Sequence, residues 1–591
     1  MKQRRFSLDY FRHQVADLEA LPQFAVLGIL SGIVSGIVII VLRVSIEWPL
    51  SYWLPANDPE NFEALSMLSR FLAPLLGALL IGLIYSLISR EIRDTGVPHI
   101  LDRLNYHQGH LSLKNAAVQF VAAIVTLVSG MSAGREGPAV HLGAAFSSFF
   151  GRTLLLPNNS IRVLVGCGAA AAISASFNTP IAGVIFAMEV IIMEYTIAGF
   201  TPVILAAVSA TVVSRMVYGD DPAFIVPALS INSLWDIPFI ILLGLIFGVL
   251  SALFIKTVRF FGRQSHHPLM LRALIAGLVT GGLAVVAPEI MGIGYDSVNN
   301  AVAGNMTLQV LCLIVLAKLI ATALPVGLGI PLGLIGPTIV IGACGGAFLG
   351  ILGNMLLPEH ASDVGVYTLL GMGAMMAATL QAPLAALMAL LELTANPHII
   401  LPAMLAIIIA NITAHSFFKE PSVFWAILEN QGKKLKMPPL QQALRRAGVS
   451  SLMNQNFVLY DRSLNHEELA SILETKPDWI VISVDNTPNY LMPAADFARY
   501  IDEHEDSLPP RNSEHISDEQ QIVIDLVDIP AKRYDLIAIP REATLQEALE
   551  TLHTNHFEAL YVERRVTSTM KSIAGILTRA DIENFYLHKQ S

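Results

Sequence analysis

The sequence predicts an all-α polytopic membrane domain, duplicated and built with discontinuous helices, followed by a smaller α/β domain in the cytoplasm. Three observations predict it: long apolar stretches up to about Phe418, an abrupt change of character beyond that residue, and an internal repeat of glycine-rich motifs. At 591 residues, 54% apolar and only 14% charged, the chain is too hydrophobic for a soluble enzyme. It is long enough for a multi-span bundle with an extra domain, and it reads as a permease rather than an enzyme.

The apolar stretches include Phe24–Leu42, Phe71–Ile88, Ala116–Met131, Ile237–Ile255, Leu308–Leu324 and Ile399–Ile412. Several approach the roughly 20 residues needed to cross a bilayer. The start, Met1-Lys2-Gln3-Arg4-Arg5, is basic and is followed by no small-residue cleavage site, which puts the amino terminus in the cytoplasm. Leu8, Phe11, Val15 and Leu18 fall at helical spacing, so residues 1–20 read as an amphipathic helix along the inner membrane surface. Beyond Phe418 no stretch could span a membrane; residues 429–450 read as a linker and 451–591 as a soluble cytoplasmic domain, so both termini are expected inside a multi-pass inner-membrane protein. Cys167, Cys312 and Cys344 lie in apolar segments without metal-ligand spacing and read as packing residues, with no metal site expected. A net charge of −10 gives no support for nucleic-acid binding.

The membrane part, about residues 21–428, is a duplication, with repeat one over about 21–217 and repeat two over about 235–428. Gly134-Arg135-Glu136-Gly137-Pro138 recurs as Gly333-Leu334-Ile335-Gly336-Pro337, and Gly143-Ala144 recurs at the same offset as Gly342-Ala343. Further on, Gly166-Cys167-Gly168-Ala169 matches Gly371-Met372-Gly373-Ala374, while Pro180-Ile181-Ala182 and Glu189 match Pro383-Leu384-Ala385 and Glu392. In each half a glycine-rich break precedes an apolar helix, the pattern of a helix that starts inside the membrane. Such a start exposes unpaired N–H groups and partial positive charge, so two of them converging would attract an anion without a buried cation. Pro138 and Pro337 suit a first helical turn. The competing reading is that these glycines serve close helix packing.

Gly134 to Pro138 resembles the most specific signature of the CLC chloride channel and transporter family, and Gly333 to Pro337 is similar to that family's second, looser helix-start motif. Upstream, Asp94-Thr95-Gly96-Val97-Pro98 resembles the family's Gly-Ser-Gly-Ile-Pro loop, with Thr95 at the serine. The resemblance covers about Leu21 to Leu428. It implies a CLC-type inverted repeat and a homodimer in the lipid bilayer, each subunit with its own path for chloride and other small anions. Thr95 and Gly96 would meet the anion, with Gly137 and the backbone N–H groups of Leu334 and Ile335 completing the cradle beside Arg135. Threonine keeps the hydroxyl that proline would remove, so a halide is expected rather than nitrate. Glu136 would occupy the path as an intrinsic competitor for the anion and leave when protonated or displaced, which makes it the gate; an intramembrane carboxylate is functional by default. A capping acid paired to Arg135 is the alternative, and Leu334-Ile335 in the other copy speaks against it.

Two departures bear on mechanism. Exchangers of the family commonly carry a second, intracellular glutamate directly after the acid corresponding to Glu189, and Val190 stands there. The family's pore tyrosine aligns on Phe424, within Pro421 to Leu428, so the inner phenol is also lost. Both favour a passive, Glu136-gated chloride channel over a proton-coupled chloride antiporter, which would need water to carry the proton. Glu189 and Glu392 read as structural acids bonded to nearby backbone, His141 as a packed neutral histidine, and Lys318 as a side chain that satisfies a helix end.

In the tail, Ala543 to Leu552, Ala559 to Val562 and Gly575 to Asp581 give a helix, strand, strand, helix order that resembles a CBS motif, and Asp461 to Ile501 is a weaker copy. The resemblance implies a CBS pair. Such pairs bind adenine nucleotides in some proteins, with Thr578 and Asp581 placed to meet the ribose and Pro493 replacing a hydroxyl in the first copy; a module that only dimerises stands beside that reading, and no cofactor is required.

Overall fold

A computed structural model of the protein describes residues 21–195, 197–220, 224, 226, 236–356, 361–433, 443–464, 475–484, 487–503, 524–565 and 571–590. The amphipathic helix expected over 1–20, part of the 429–450 linker and the first helix expected in the tail's earlier repeat lie outside the described residues. The chain divides into two compact units, one comprising Leu21–Leu154 with Ile161–Leu435 and one built mainly from Lys436–Ser591.

The first half of the membrane unit runs α1 (Leu21–Trp53), α2 (Met67–Leu87), α3 (Gly96–Tyr106), α4 (Leu113–Val128), α5 (Glu136–Thr153), α6 (Asn158–Phe177), α7 (Pro180–Phe186) and α8 (Ile197–Tyr218). The second half runs α9 (Ile237–Gly262), α10 (Leu269–Val286), α11 (Tyr295–Val302), α12 (Leu308–Gly327), α13 (Ile335–Leu356), α14 (Val364–Leu380), α15 (Pro383–Thr394), α16 (Ile400–Ile412) and α17 (Val423–Asn430). Nine helices among the described residues are long and apolar enough to cross a membrane. The stretch expected at Ala116–Met131 forms α4, a 16-residue helix too short for a full span. Most of these helices leave an apolar face outward, with Val26, Ile37, Leu76 and Leu253 exposed as lipid-facing residues would be. By contrast, 94% of the apolar window of α6 and 83% of that of α13 are buried, so these helices lie at the centre of the bundle.

Close backbone approach sets that centre. A Cβ on Gly143 of α5 would fall 2.3 Å from the Gly168 carbonyl of α6, and one on Gly342 of α13 would fall 2.4 Å from the Gly371 carbonyl of α14. Small residues thus let each repeat's broken helix press against the helix that follows it. The contact also corrects a register: Gly168, not Gly166, is the structural mate of Gly371, on the same spacing that relates Pro180 to Pro383 and Glu189 to Glu392. The pattern Gly-x-Gly allows either match in sequence, and packing selects one.

The halves are tied reciprocally. The Glu189 carboxylate accepts from the N–H groups of Leu384 and Ala385 at 3.2 and 2.8 Å, at the start of α15. The Glu392 carboxylate accepts from those of Ile181 and Ala182 at 2.9 and 2.7 Å, at the start of α7. Each acid caps the other repeat's helix, as expected of structural acids. Packing accounts for only two of the cysteines, because Cys167 and Cys344 are buried while Cys312 is exposed.

The tail unit carries a six-stranded sheet whose order follows the chain: β1 (Phe457–Asp461), β2 (Trp479–Val484), β3 (Thr487–Pro493), β4 (Tyr534–Pro540), β5 (Ala559–Arg565) and β6 (Lys571–Thr578). β1 pairs parallel with β2 and β2 antiparallel with β3, and the same alternation recurs in β4, β5 and β6. Each trio leads into a helix, α18 (Ala494–Glu503) and α20 (Arg579–Gln590), and α19 (Leu545–Asn555) joins β4 to β5 by a crossover. The tail is therefore a duplicated α/β domain in which β3 and β4 join the copies.

Gly143→Ala and Gly342→Ala are expected to destabilise the membrane unit by at least about 2 kcal/mol each, because the new methyl meets backbone that cannot yield. Gly282→Ala, where a Cβ meets nothing within 4 Å, serves as the neutral comparison. Thermal unfolding in detergent reads the difference.

Candidate functional site

Two broken helices meet at the middle of the membrane unit. Gly134 and Gly333, each just ahead of its repeat's buried helix, form an antiparallel bridge with Gly134 N–H donating to the Gly333 carbonyl at 2.9 Å. From that crossing α5 begins at Glu136 and α13 at Ile335, so the sequence-predicted helix starts converge. A third helix start, α3, follows Thr95 with Gly96 at φ +75°, a conformation glycine adopts freely.

The three starts share a cavity of about 240 Å³, lined by Thr95, Gly96, Gly137, Leu334, Ile335 and Phe424. Six of the eight residues assigned to the anion path in sequence thus come together. Phe424 presents its ring there without a hydroxyl, and the Thr95 hydroxyl lies 3.3 Å from that of Tyr85. The same cavity reaches polar groups at Arg93, Asp102 and Lys433, the last two paired at 2.8 Å. A hydroxyl and helix-start amides around an apolar wall can hold an anion weakly enough for it to leave.

The other two, Arg135 and Glu136, stand elsewhere. Arg135 is not in the cradle. Its guanidinium meets Glu47 of α1 at 3.0 Å and faces a second cavity of about 410 Å³ that Arg43, Glu47, Glu60 and Tyr295 also line. Glu136 lines neither cavity and is fully buried between them. One carboxylate oxygen accepts from the Tyr295 phenol at 2.5 Å, the other from the Gly336 N–H at 3.2 Å. The second donor belongs to the start of α13, so the carboxylate occupies a position where an anion would be bound by the opposite repeat. It also excludes the capping pair with Arg135, whose partner is Glu47. Gly134 makes the fold-back feasible, since a Cβ there would lie 2.3 Å from the carboxylate.

Other polar groups are spent on structure. His141 is buried and its Nε2 lies 2.8 Å from His99 Nδ1, while Arg103 donates to the far nitrogen of His99 at 3.1 Å. Lys318 donates to the carbonyls of Ile290 and Gly292 at 3.1 and 3.4 Å, satisfying the end of a short 3-10 turn rather than an anion. Val190, where the resemblance led to the expectation of a lost relay acid, sits in a π-helical turn that continues α7 and is buried. In the loop after α1, burial and then repulsion from Asp296 push the carboxyl of Glu60, which lines the second cavity, up to about 7. In the tail, Thr578 and Asp581 bond each other at the start of α20, hydroxyl to carboxylate at 2.7 Å and Asp581 N–H to the hydroxyl at 3.3 Å.

Sequence reasoning missed Tyr295 and the His99–His141 pair. The available signal for Tyr295 was Gly292-x-Gly294 directly before it, two glycines that the structure holds at positive φ. Nothing in the sequence links that turn to a carboxylate in the other repeat.

Residues 77–415 match the family model described as voltage gated chloride channel. Over 401 residues the chain is 33% identical to the putative chloride channel protein ClcB-like of Ralstonia nicotianae, covering 66% of this chain and 93% of that protein. Over 414 residues it is 30% identical to the H(+)/Cl(-) exchange transporter ClcA of Yersinia pestis, covering 67% and 85% respectively. Its fold is similar to the crystal structure of a eukaryotic CLC transporter, with a TM-score of 0.58 at 18% identity over 94% of this chain and 97% of that one. A duplicated bundle of broken helices whose starts converge beside a buried carboxylate is the architecture of a membrane transport protein. The chain belongs to the voltage gated chloride channel, or CLC, family and is a multi-pass membrane protein of chloride transport.

Replacing the cradle hydroxyl by Thr95→Ala is expected to weaken chloride binding by about 1 kcal/mol, roughly fivefold, because a neutral hydrogen bond contributes about that much. Isothermal titration of chloride into purified protein measures it.

Proposed function

We propose that the protein exchanges chloride for protons, with Glu136 as the shared gate. The observation that carries this reading is the Glu136 carboxylate seated between two cavities and bonded by the Gly336 N–H, as a bound anion would be. Protonation removes the charge that competes with chloride, so one group can serve both ions in turn. The name of the Yersinia relative, an H(+)/Cl(-) exchange transporter, supports exchange over the passive channel expected from Val190 and Phe424. Those residues remove side-chain carriers but leave a water route, since the Thr95 cavity extends from Gly137 and Pro138 to Asp102 and Lys433.

We orient that cavity to the cytoplasm and the Arg135–Tyr295 cavity outward, with both termini inside a bacterial inner membrane; the basic Met1-Lys2-Gln3-Arg4-Arg5 start supports this. The duplicated sheet of the tail, with its two strand–strand–helix trios, supports a CBS pair. An adenine nucleotide would find Thr578 and Asp581 already bonded to one another, so its ribose must compete for them. Assembly as a homodimer is proposed on the family resemblance.

Proteoliposomes under opposed chloride and proton gradients test the central claim. The reversal potential is expected to depart from the chloride potential and follow both ions; a potential that tracks chloride alone identifies a passive channel. Glu136→Gln is expected to keep chloride flux while losing uphill proton movement and most of the pH dependence.

A further inference from the structure

Tyr295 opens α11, directly after Gly294 at φ +83°, and its side chain is almost completely buried. Its ring is fixed by packing, edge-on to Phe224 with centroids 5.3 Å apart and tilted against Phe177 at 6.2 Å. The hydroxyl is thereby held in place before any carboxylate arrives, which is the condition for a strong, pre-organised donor.

Position matters as much as strength. Tyr295 lines the outer cavity, Glu136 does not, and the phenol bonds the carboxylate, so Tyr295 touches both the cavity and the gate. The charged groups around it include Arg43, Asp58 and Glu63 as well as Arg135, Glu47, Lys318, Glu60 and Asp296, and none of them takes its place on the Glu136 carboxylate. Arg135 pairs with Glu47, and Lys318 is spent on two carbonyls. Glu60 accepts from the Asp296 N–H at 3.1 Å. Asp296 follows Tyr295 on α11 and, like Glu60, repels a carboxylate rather than binding one. The outward donor to Glu136 is thus a neutral phenol.

We propose that Tyr295 is a positioning residue for the gate, a latch whose phenol holds the ionised Glu136 carboxylate across the anion path until that carboxylate takes up a proton from outer water. The phenol keeps its own proton throughout. An ionised carboxylate accepts strongly, whereas the protonated acid is a weak acceptor, so proton uptake releases the latch and frees the side chain to swing. The inference rests on Glu136 being the gate.

Tyr295→Phe retains the ring and its packing and removes only the hydroxyl. Chloride flux is recorded in proteoliposomes against outer pH, in a Glu60→Gln/Glu63→Gln background that keeps the two outer carboxyls pushed up to about 7 out of the profile. The carboxylate loses a donor that favours its charged form, so the midpoint of acid activation is expected to rise by about one to two pH units, with faster flux on the alkaline side. In the presence of Glu136→Gln, Tyr295→Phe is expected to add nothing. A profile that overlays the parent while Glu136→Gln flattens it overturns the latch, as does an equal change of flux in both backgrounds, which would place the effect in ring packing. Flux and pH response unchanged by Glu136→Gln would instead remove the gate itself.

Discussion

A carboxylate buried in the centre of a membrane bundle must be solvated by the protein, and the arrangement around Glu136 follows from that requirement. Removing such a charge from water costs several kcal/mol unless strong hydrogen bonds replace the lost hydration. Neither nearby cation supplies them, because Arg135 and Lys318 are engaged elsewhere. The replacements are a helix-start amide, Gly336 N–H, and one phenol, Tyr295 O–H, both from the second repeat. On the gating role proposed for Glu136, a charge held by dipoles and neutral donors is stable enough to block the path and weakly enough held to be displaced, which a buried ion pair would not permit. The crossing of Gly134 with Gly333 exists to bring those donors within reach, and the glycine pairs between α5 and α6 and between α13 and α14 let the helices approach closely enough to make it.

Much of this was legible in the sequence because duplication makes weak motifs strong. Gly-x-x-Gly-Pro alone is compatible with ordinary helix packing, whereas its recurrence in register identified both helix starts and singled out Glu136 as an acid whose counterpart is apolar. The cradle residues Thr95, Gly96, Gly137, Leu334, Ile335 and Phe424 were assigned from motif order and do meet at one cavity. Arg135 was misplaced for a physical reason: its neighbours in sequence are the cradle, but an arginine at a helix start turns its long side chain toward available acid, here Glu47 on α1. Tyr295 could not be found at all, since its importance lies in a contact across 159 residues.

The choice between passive flow and exchange shows where residue-by-residue inference runs out. Val190 and Phe424 each remove a side chain that could carry a proton or narrow the path, and their absence pointed to a channel. Proton carriage does not require a side chain, however, where a cavity lined by charged groups admits water. The polar reach of the Thr95 cavity is a property of the folded chain and is invisible in any single motif. In the tail, by contrast, strand and helix order was readable over Ala543 to Asp581, and the weaker, earlier copy shows in the structure as the repeated pairing of strands in one sheet.

The exchange of caps between Glu189 and Glu392 bears on how the protein is made. When the ribosome has completed the first repeat, the start of α7 has N–H groups without their Glu392 acceptor and Glu189 has not yet met the donors of α15. Neither repeat can reach its final form until the chain has been synthesised past Glu392. A separated half would therefore lack a cap that only the other half supplies, which makes the two repeats mutually completing parts of one fold.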